Sequence, residues 1–167
     1  RVLPAGAAGE IVGHNPWMMA GYYNQPQKTQ SFYWRDAAGR VFHRSGDVGR
    51  FDADGFLILL DRKKDVIISG GFNIYASDLE AVLAAHPAVA DSAVVGVPSE
   101  RWGETPYAIV VMRPGASIAS DALLAWVNER VGKTQRIAGL ELRESLPRSP
   151  VGKLLRRELR DEVKGRT

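Results

Sequence analysis

The sequence contains no cysteine, which excludes disulfide bonds, thiolate metal ligands and a cysteine nucleophile. Its only histidines, His14, His43 and His86, lack the spacing of metal ligands. No apolar run approaches the roughly 20 residues of a membrane-spanning helix. We therefore expect neither a metal site nor a membrane span in this chain, while peripheral association with a membrane stays open.

A large excess of charge of one sign is also missing. The 22 Lys and Arg residues face 19 Asp and Glu residues, and the net charge of +3 is too weak to indicate nucleic-acid binding by itself. Near the C-terminus, basic and acidic side chains alternate as on a solvated helix face: Arg156, Arg157, Glu158, Arg160, Asp161 and Glu162. We expect no nucleic-acid partner.

The overall composition is that of a soluble globular protein, with 45% hydrophobic and 25% charged residues in a chain of 167. This length suits one ordinary domain or two small ones. The chain has no initiator Met and opens on Arg-Val-Leu-Pro, which resembles the end of a strand. We therefore expect a piece of a longer cytoplasmic protein.

Residues 1–60 are predicted to be rich in β-strands. The segments 36–39 and 52–55 each begin with Asp, end with Gly and precede a β-rich run, which predicts two hairpins. Pro26 suits the first turn of a helix and predicts a short one that ends near Tyr33. The first 60 residues therefore form a small β-rich subdomain.

Residues 66–167 combine strands with helices. The pattern predicts a hairpin around Gly70 and Gly71, buried strands at 93–97 and 107–112, and a further strand near 140–142. Three helices are predicted: one opened by a capping box of Ser77 and Glu80, one N-capped by Ser120, and one that begins at about Lys153. The predicted fold class is α+β, in which helices flank a small antiparallel or mixed sheet.

The segment 61–65, Asp-Arg-Lys-Lys-Asp, lies between these two parts. Taken alone, it is either a solvated surface run or a hinge whose torsions let one domain reorient on the other. The guanidinium group of Arg62 also suits phosphate and hydroxyl oxygens. The predicted organisation is a subdomain at 1–60, a hinge at 61–65 and a C-terminal domain at 66–167.

Three further features have a structural and a functional interpretation. Asp47 is either a turn residue that binds its own backbone or a carboxylate that accepts hydrogen bonds from the two hydroxyls of a ribose. Gly70 and Gly71 form either a tight turn or a place where a ligand passes against bare backbone. Lys153 follows a Pro- and Gly-rich loop, and it is either a solvated lysine or a cation that stabilises developing charge in a reaction.

These features occur in one order, and together they resemble the C-terminal portion of an adenylate-forming acyl-CoA synthetase of the AMP-binding enzyme family. The likeness covers nearly the whole chain. Within the family, the hinge and the C-terminal helix most resemble bacterial long-chain fatty-acid–CoA ligases. The segments that carry the resemblance are 9–11, 19–26, 45–49, 54–56, 61–75, 93–98, 102–104 and 146–159.

The resemblance implies a two-step reaction: ATP, with Mg²⁺, activates a carboxylic acid, here a fatty acid, as acyl-AMP, and the acyl group is then transferred to CoA. The C-terminal domain would rotate between the two steps. By position, Asp47 and Arg62 would bind the ribose of ATP or AMP, and Lys64 would be the pivot. Lys153 would be catalytic in the first step. In the second, the CoA arm would pass three residues of one hairpin, Gly70, Gly71 and Asn73.

The resemblance also implies that residues 1–60 are the distal β-rich part of the family's large N-terminal domain, and that the rest of this domain is a missing partner. The family's phosphate loop, adenine-binding segment and acyl pocket would lie upstream of Arg1, so we expect this chain alone to be inactive. The alternative is a free-standing nucleotide- or CoA-binding module without catalysis.

Overall fold

A computed structural model describes residues 1–164 and divides the chain into two compact units, Arg1–Lys64 and a second unit that begins at Asp65. The first unit is a four-stranded antiparallel sheet with one short helix. Its elements are β1 (Gly9–Gly13), α1 (Pro26–Phe32), β2 (Tyr33–Arg35), β3 (Val41–Phe51) and β4 (Leu57–Arg62). The long strand β3 pairs with the other three strands, so it is the scaffold of this unit.

Both predicted hairpins of the first unit are confirmed. In the turn between β2 and β3, the carboxylate of Asp36 accepts the backbone N–H groups of Ala38 and Arg40. Asp52 accepts N–H groups in the same way between β3 and β4. Each turn ends in a glycine with positive φ, which a residue without a β-carbon adopts without strain. The predicted helix at Pro26 is also present.

The second unit is an α+β domain, as predicted. Its elements are β5 (Ile67–Ser69), β6 (Phe72–Ile74), α2 (Ala76–Ala84), β7 (Val89–Ser99), β8 (Gly103–Met112), α3 (Ser120–Asn128), a 3₁₀ turn (Lys133–Gln135), β9 (Gly139–Arg143) and α4 (Arg156–Lys164). The sheet runs in the order β6-β5-β8-β7, and β9 pairs with β8 in parallel, so the sheet is mixed.

Both faces of this sheet are buried along β7 and β8. Successive residues of a strand point to opposite faces, and β7 places Val94 in one apolar core and Val95 in another. The first core receives Leu79 from α2 and Leu123 from α3. The second receives Leu159 from α4. Helices α2 and α3 therefore pack on one face of the sheet and α4 on the other.

Three predicted helix starts are wrong by a few residues. The helix expected at Ser77 begins at Ala76 with Tyr75 as its N-cap, and Ala119 rather than Ser120 caps the next. The last helix begins at Arg156 rather than at Lys153, because residues 148–154 form a loop closed by a β-bridge.

The predicted capping box fails for a tertiary reason. Glu80 does not turn back to its own helix start: its carboxylate accepts the backbone N–H of Val94 on β7 and pairs with Arg156 at the start of α4. Arg156 also donates to the carbonyl of Val94 over 3.0 Å. Glu80 therefore ties together α2, β7 and α4.

Candidate functional site

The backbone of the first unit bulges outward at Ser45, Gly46 and Asp47. Val12 of β1 pairs with Arg44 and Glu10 pairs with Val48, so three residues of β3 lie opposite one residue of β1. Gly46 adopts φ +76°, which lets the chain bulge without strain.

Hydrogen bonds fix this bulge. The hydroxyl of Ser45 donates to the carbonyl of Ile11 and accepts the N–H of Asp47. The carbonyl of Gly46 accepts the N–H of Lys63. The position of the Asp47 backbone is therefore set from both neighbouring strands, β1 and β4.

Asp47 lies directly opposite Arg62 in the pairing of β3 with β4. The Nε atom of Arg62 is 3.8 Å from Oδ1 of Asp47, and both side chains are partly exposed. The pair offers a hydrogen-bond acceptor next to donors, the combination that vicinal hydroxyl groups require. Two residues 15 positions apart in sequence thus meet because of the hairpin register.

An open pocket of about 600 Å³ lies over this pair. It is lined by Ser45, Gly46, Asp47, Arg62, Lys63 and Lys64. Lys63 turns to Glu10, whose Oε2 atom is 2.9 Å from its ammonium nitrogen. The pocket therefore gathers three of the predicted residues, Asp47, Arg62 and Lys64, in a setting that suits a polar, anionic ligand.

Gly70 and Gly71 form the turn between β5 and β6, with φ of +56° and +83°. A β-carbon at Gly70 would lie 2.9 Å from the ring of Trp102, whereas one at Gly71 would meet open space. The N–H of Gly70 also donates to the Trp102 carbonyl. The structural interpretation accounts for both glycines, and a ligand beside them stays a prediction. Asn73 is exposed on β6.

Sequence reasoning missed the exposed apolar side chains on or next to this hairpin, which are Ile68, Phe72 and Trp102. The guanidinium group of Arg101 lies over the Trp102 ring, 4.6 Å from its centroid. Exposed apolar groups of this size often mark binding surfaces. The available signal was the turn at 99–103, which carries a tryptophan where polar residues are usual.

Lys153 lies at the end of a tight turn. The N–H of Gly152 donates to the carbonyl of Ser149, the N–H of Ser149 donates to the carbonyl of Lys153, and Gly152 adopts φ +79°. Residues 150–152 thus form a three-residue hairpin loop that ends in a left-handed glycine, a common arrangement. Within residues 1–164, the exposed ammonium group of Lys153 has no hydrogen bond or ion pair. A free cation is thus presented on an ordered loop.

The predicted residues are distributed over both units. Asp47, Arg62 and Lys64 share the pocket of the first unit, whereas the hairpin glycines, Asn73 and Lys153 belong to the second.

Among residues 1–164, no group of three His, Cys, Asp or Glu side chains could hold a metal ion. In the same residues, no helix has the length and apolar character needed to cross a membrane.

Comparison with protein families matches residues 78–153 to the AMP-binding enzyme C-terminal domain. The matched segment ends at Lys153. Among curated proteins, the chain is 42% identical over 162 residues to 4-coumarate–CoA ligase-like 9 of Oryza sativa subsp. japonica. It is 39% identical over 165 residues to the fatty acid–[acyl-carrier-protein] ligase ScoC of Streptomyces coeruleorubidus. These alignments cover 97% and 99% of this chain but 28% and 31% of the relatives.

Among solved structures, ATP-bound MatB from Rhodopseudomonas palustris matches with a TM-score of 0.87 and 34% identity. The alignment covers 97% of this chain and 31% of MatB. The chain therefore spans about a third of the length of the proteins it resembles, and the likeness includes both of its units.

Proposed function

Because residues 78–153 match the AMP-binding enzyme C-terminal domain, we propose that the chain is the C-terminal portion of an ATP-dependent acid–thiol ligase. In the first step, a carboxylate oxygen bonds to the α-phosphorus of ATP and pyrophosphate leaves, which gives acyl-AMP. In the second, the sulfur of CoA bonds to the acyl carbon, AMP leaves, and the thiol proton passes to solvent. The match that ends at Lys153 carries this proposal.

Asp47 and Arg62 are proposed to bind the ribose that ATP and AMP share. Their facing positions on β3 and β4 support this role, since the carboxylate accepts hydrogen bonds from hydroxyl groups while the guanidinium group donates them. The AMP portion of the nucleotide is present in ATP, acyl-AMP and AMP, so the same contact serves both steps. The loss of Asp47 should therefore impair both half-reactions.

Lys153 is proposed to act in the first step only. Its ammonium group would lie between the carboxylate and the α-phosphate and offset the charge that accumulates as they react. The ordered loop supports this role, because a cation held in place needs no reorganisation during the reaction. The rotation between the steps would use Lys64 as its pivot and would bring Gly70, Gly71 and Asn73 to the CoA arm.

ATP would enter as its Mg²⁺ complex, and Mg²⁺ would offset charge on the phosphates. The described residues contain no group suited to hold this ion, so we assign it no step here. The remaining partner is the N-terminal domain of the same enzyme, which would supply the phosphate loop and the acyl pocket. We propose a cytoplasmic enzyme that does not bind nucleic acid.

For the acid we propose a fatty acid, because the hinge and the C-terminal helix resemble long-chain fatty-acid–CoA ligases. The relatives named above include one named for coumarate and one named for a fatty acid. A panel of fatty and aromatic acids offered to the full-length enzyme tests this choice. A preference for aromatic acids would contradict it and leave the two-step reaction intact.

The reaction class is tested by acid-dependent ATP–pyrophosphate exchange and CoA thioester formation in the full-length enzyme. We expect both activities, and we expect no exchange from the isolated 167-residue chain. Asp47→Ala should lower both half-reactions, whereas Asp54→Ala, which removes an exposed carboxylate in a nearby turn, should change neither. A full-length protein that binds nucleotide without exchange would instead indicate a binding module.

A further inference from the structure

We propose that Arg148 is a positioning residue for Lys153. It ties the loop of residues 148–154, which carries Lys153, to strand β7. This inference rests on the function proposed above and adds a residue to it. No reacting group needs to touch Arg148. It acts through the backbone that carries Lys153.

The guanidinium group of Arg148 makes two contacts on opposite sides. Its Nη2 atom is 2.6 Å from Oδ2 of Asp91, which belongs to β7. Its Nη1 atom donates to the carbonyl of Gly152 over 2.9 Å. This carbonyl belongs to the peptide bond that joins Gly152 to Lys153, so Arg148 binds the backbone directly next to the lysine proposed to be catalytic.

The other side of the same peptide bond is held as well. The N–H of Lys153 donates to the hydroxyl of Ser149 over 3.1 Å. The carbonyl and the N–H of the Gly152–Lys153 peptide group are therefore both bonded to side chains. This arrangement fixes the plane of the peptide from which the Lys153 side chain departs.

The base of the loop is anchored independently of Arg148. Leu146 is buried and Leu154 partly buried in the core that contains Leu159. Arg156, directly after the loop, is held by Glu80 and by the carbonyl of Val94. Loss of Arg148 should therefore leave the domain folded and free only the tip of the loop.

The exposure of the Arg148–Asp91 pair fits a positioning role better than a stabilising one. The side chains are 44% and 38% exposed, and ion pairs with this much solvent contact contribute little to stability. The planar guanidinium group nevertheless holds two separate acceptors in a fixed geometry, which a single lysine ammonium cannot reproduce. A catalytic group displaced by about 1 Å can lose about 100-fold in rate.

The test measures both half-reactions of the full-length enzyme in Arg148→Ala, Arg148→Lys and Asp91→Asn. We expect acyl-AMP formation to fall about 10- to 100-fold in kcat in Arg148→Ala. We also expect KM for ATP to stay within about twofold and thioester formation from preformed acyl-AMP to stay unchanged. The matched control is Arg157→Ala, which removes an arginine 94% exposed on α4 and should change neither step.

Two readouts separate positioning from a merely structural role. Amide exchange in residues 149–153 should accelerate in Arg148→Ala while exchange in β7 and β8 stays slow. In the double variant Arg148→Ala/Lys153→Ala, adenylation should be no slower than in Lys153→Ala alone, because Arg148 acts only through that lysine. Losses that multiply would overturn the proposal.

The possible failures are distinguishable. If Lys153→Ala cripples adenylation and the Arg148 and Asp91 variants do not, the proposed function stands and the positioning role is wrong. If Lys153→Ala leaves adenylation unchanged, the role assigned to Lys153 is wrong, and the positioning role falls with it. If Lys153→Ala and the three variants at Arg148 and Asp91 all lose both half-reactions equally, Arg148 has a general structural role and the proposal is again overturned.

Discussion

The two units differ in how completely they bury their apolar residues. The second unit has an apolar core on each face of its sheet, and its largest core side chains have almost no solvent contact. The first unit has one buried hydrophobic residue, Val48, which is 9% exposed, and it exposes much of β4 and its turn. The exposed residues there are Phe51, Phe56, Leu57, Ile58 and Leu59.

This difference indicates which unit can fold by itself. Burial of apolar surface is the main favourable term in folding, and a sheet with a solvated apolar face forgoes much of it. We expect the second unit, which carries Lys153, to fold by itself. We expect the first unit, which carries the Asp47–Arg62 pocket, to need a cover for its exposed apolar residues.

Separating the two units should give the largest effect. A fragment of residues 65–167 should unfold cooperatively in urea and bind little of the hydrophobic dye ANS. A fragment of residues 1–64 should bind ANS strongly and lack a cooperative transition, because much of its apolar surface is exposed. Equally cooperative unfolding of both fragments would show that the two units do not differ in their ability to fold by themselves.

A matched pair of leucines tests burial residue by residue. Leu159 has no exposed surface and Leu59 is 65% exposed. In the 167-residue chain, Leu159→Ala should destabilise the second unit by about 2–5 kcal/mol, whereas Leu59→Ala should cost less than about 0.5 kcal/mol. Urea denaturation provides both values, and similar losses would show that the exposure of β4 has been misjudged.

The two glycines of the β5–β6 turn should differ in the same assay. Gly71→Ala should cost about 1–2 kcal/mol for its left-handed backbone alone. Gly70→Ala should cost more, because its new β-carbon also displaces the ring of Trp102. A change in the near-UV circular dichroism of tryptophan should accompany only the second substitution. The reverse order would argue against the packing of Trp102 on this turn.

A smaller effect, on the rate of one half-reaction, is expected at the predicted hinge. The two units divide there between Lys64 and Asp65. Lys64→Pro fixes φ near −65° and should restrict rotation there. We expect acyl-AMP formation in the full-length enzyme to persist while thioester formation falls about tenfold, or about 1.4 kcal/mol in activation free energy. Lys64→Ala keeps the torsion free and is the control. Unchanged thioester kinetics in Lys64→Pro would refute the pivot.

The sequence predicted best what depends on neighbouring residues. The Asp-initiated turns at 36–39 and 52–55 and the glycine turn at 70–71 were found because a few adjacent side chains determine a turn. Hairpin register then placed Asp47 opposite Arg62. Local chemistry thus defines the pocket of the first unit.

The errors arose where distant residues decide the structure. Glu80 was assigned to a capping box, but its partner Arg156 lies 76 positions away and could not be inferred from local pattern. The bridge between Arg148 and Leu154, which replaces the helical start expected at Lys153, is local, but Arg148 also binds Asp91, which lies 57 positions away. A tertiary contact therefore helps to set the conformation of the loop that matters most for the proposed chemistry.

Lys153 is proposed to serve one half-reaction only. To test this, Lys153→Ala is compared with the unaltered full-length enzyme in acid-dependent ATP–pyrophosphate exchange and in thioester formation from preformed acyl-AMP. We expect a loss of about 100- to 1,000-fold in exchange and none in thioester formation. Lys133→Ala, at another exposed lysine of the second unit, should alter neither. Equal losses in both half-reactions, or no loss in exchange, would show that Lys153 does not have this role.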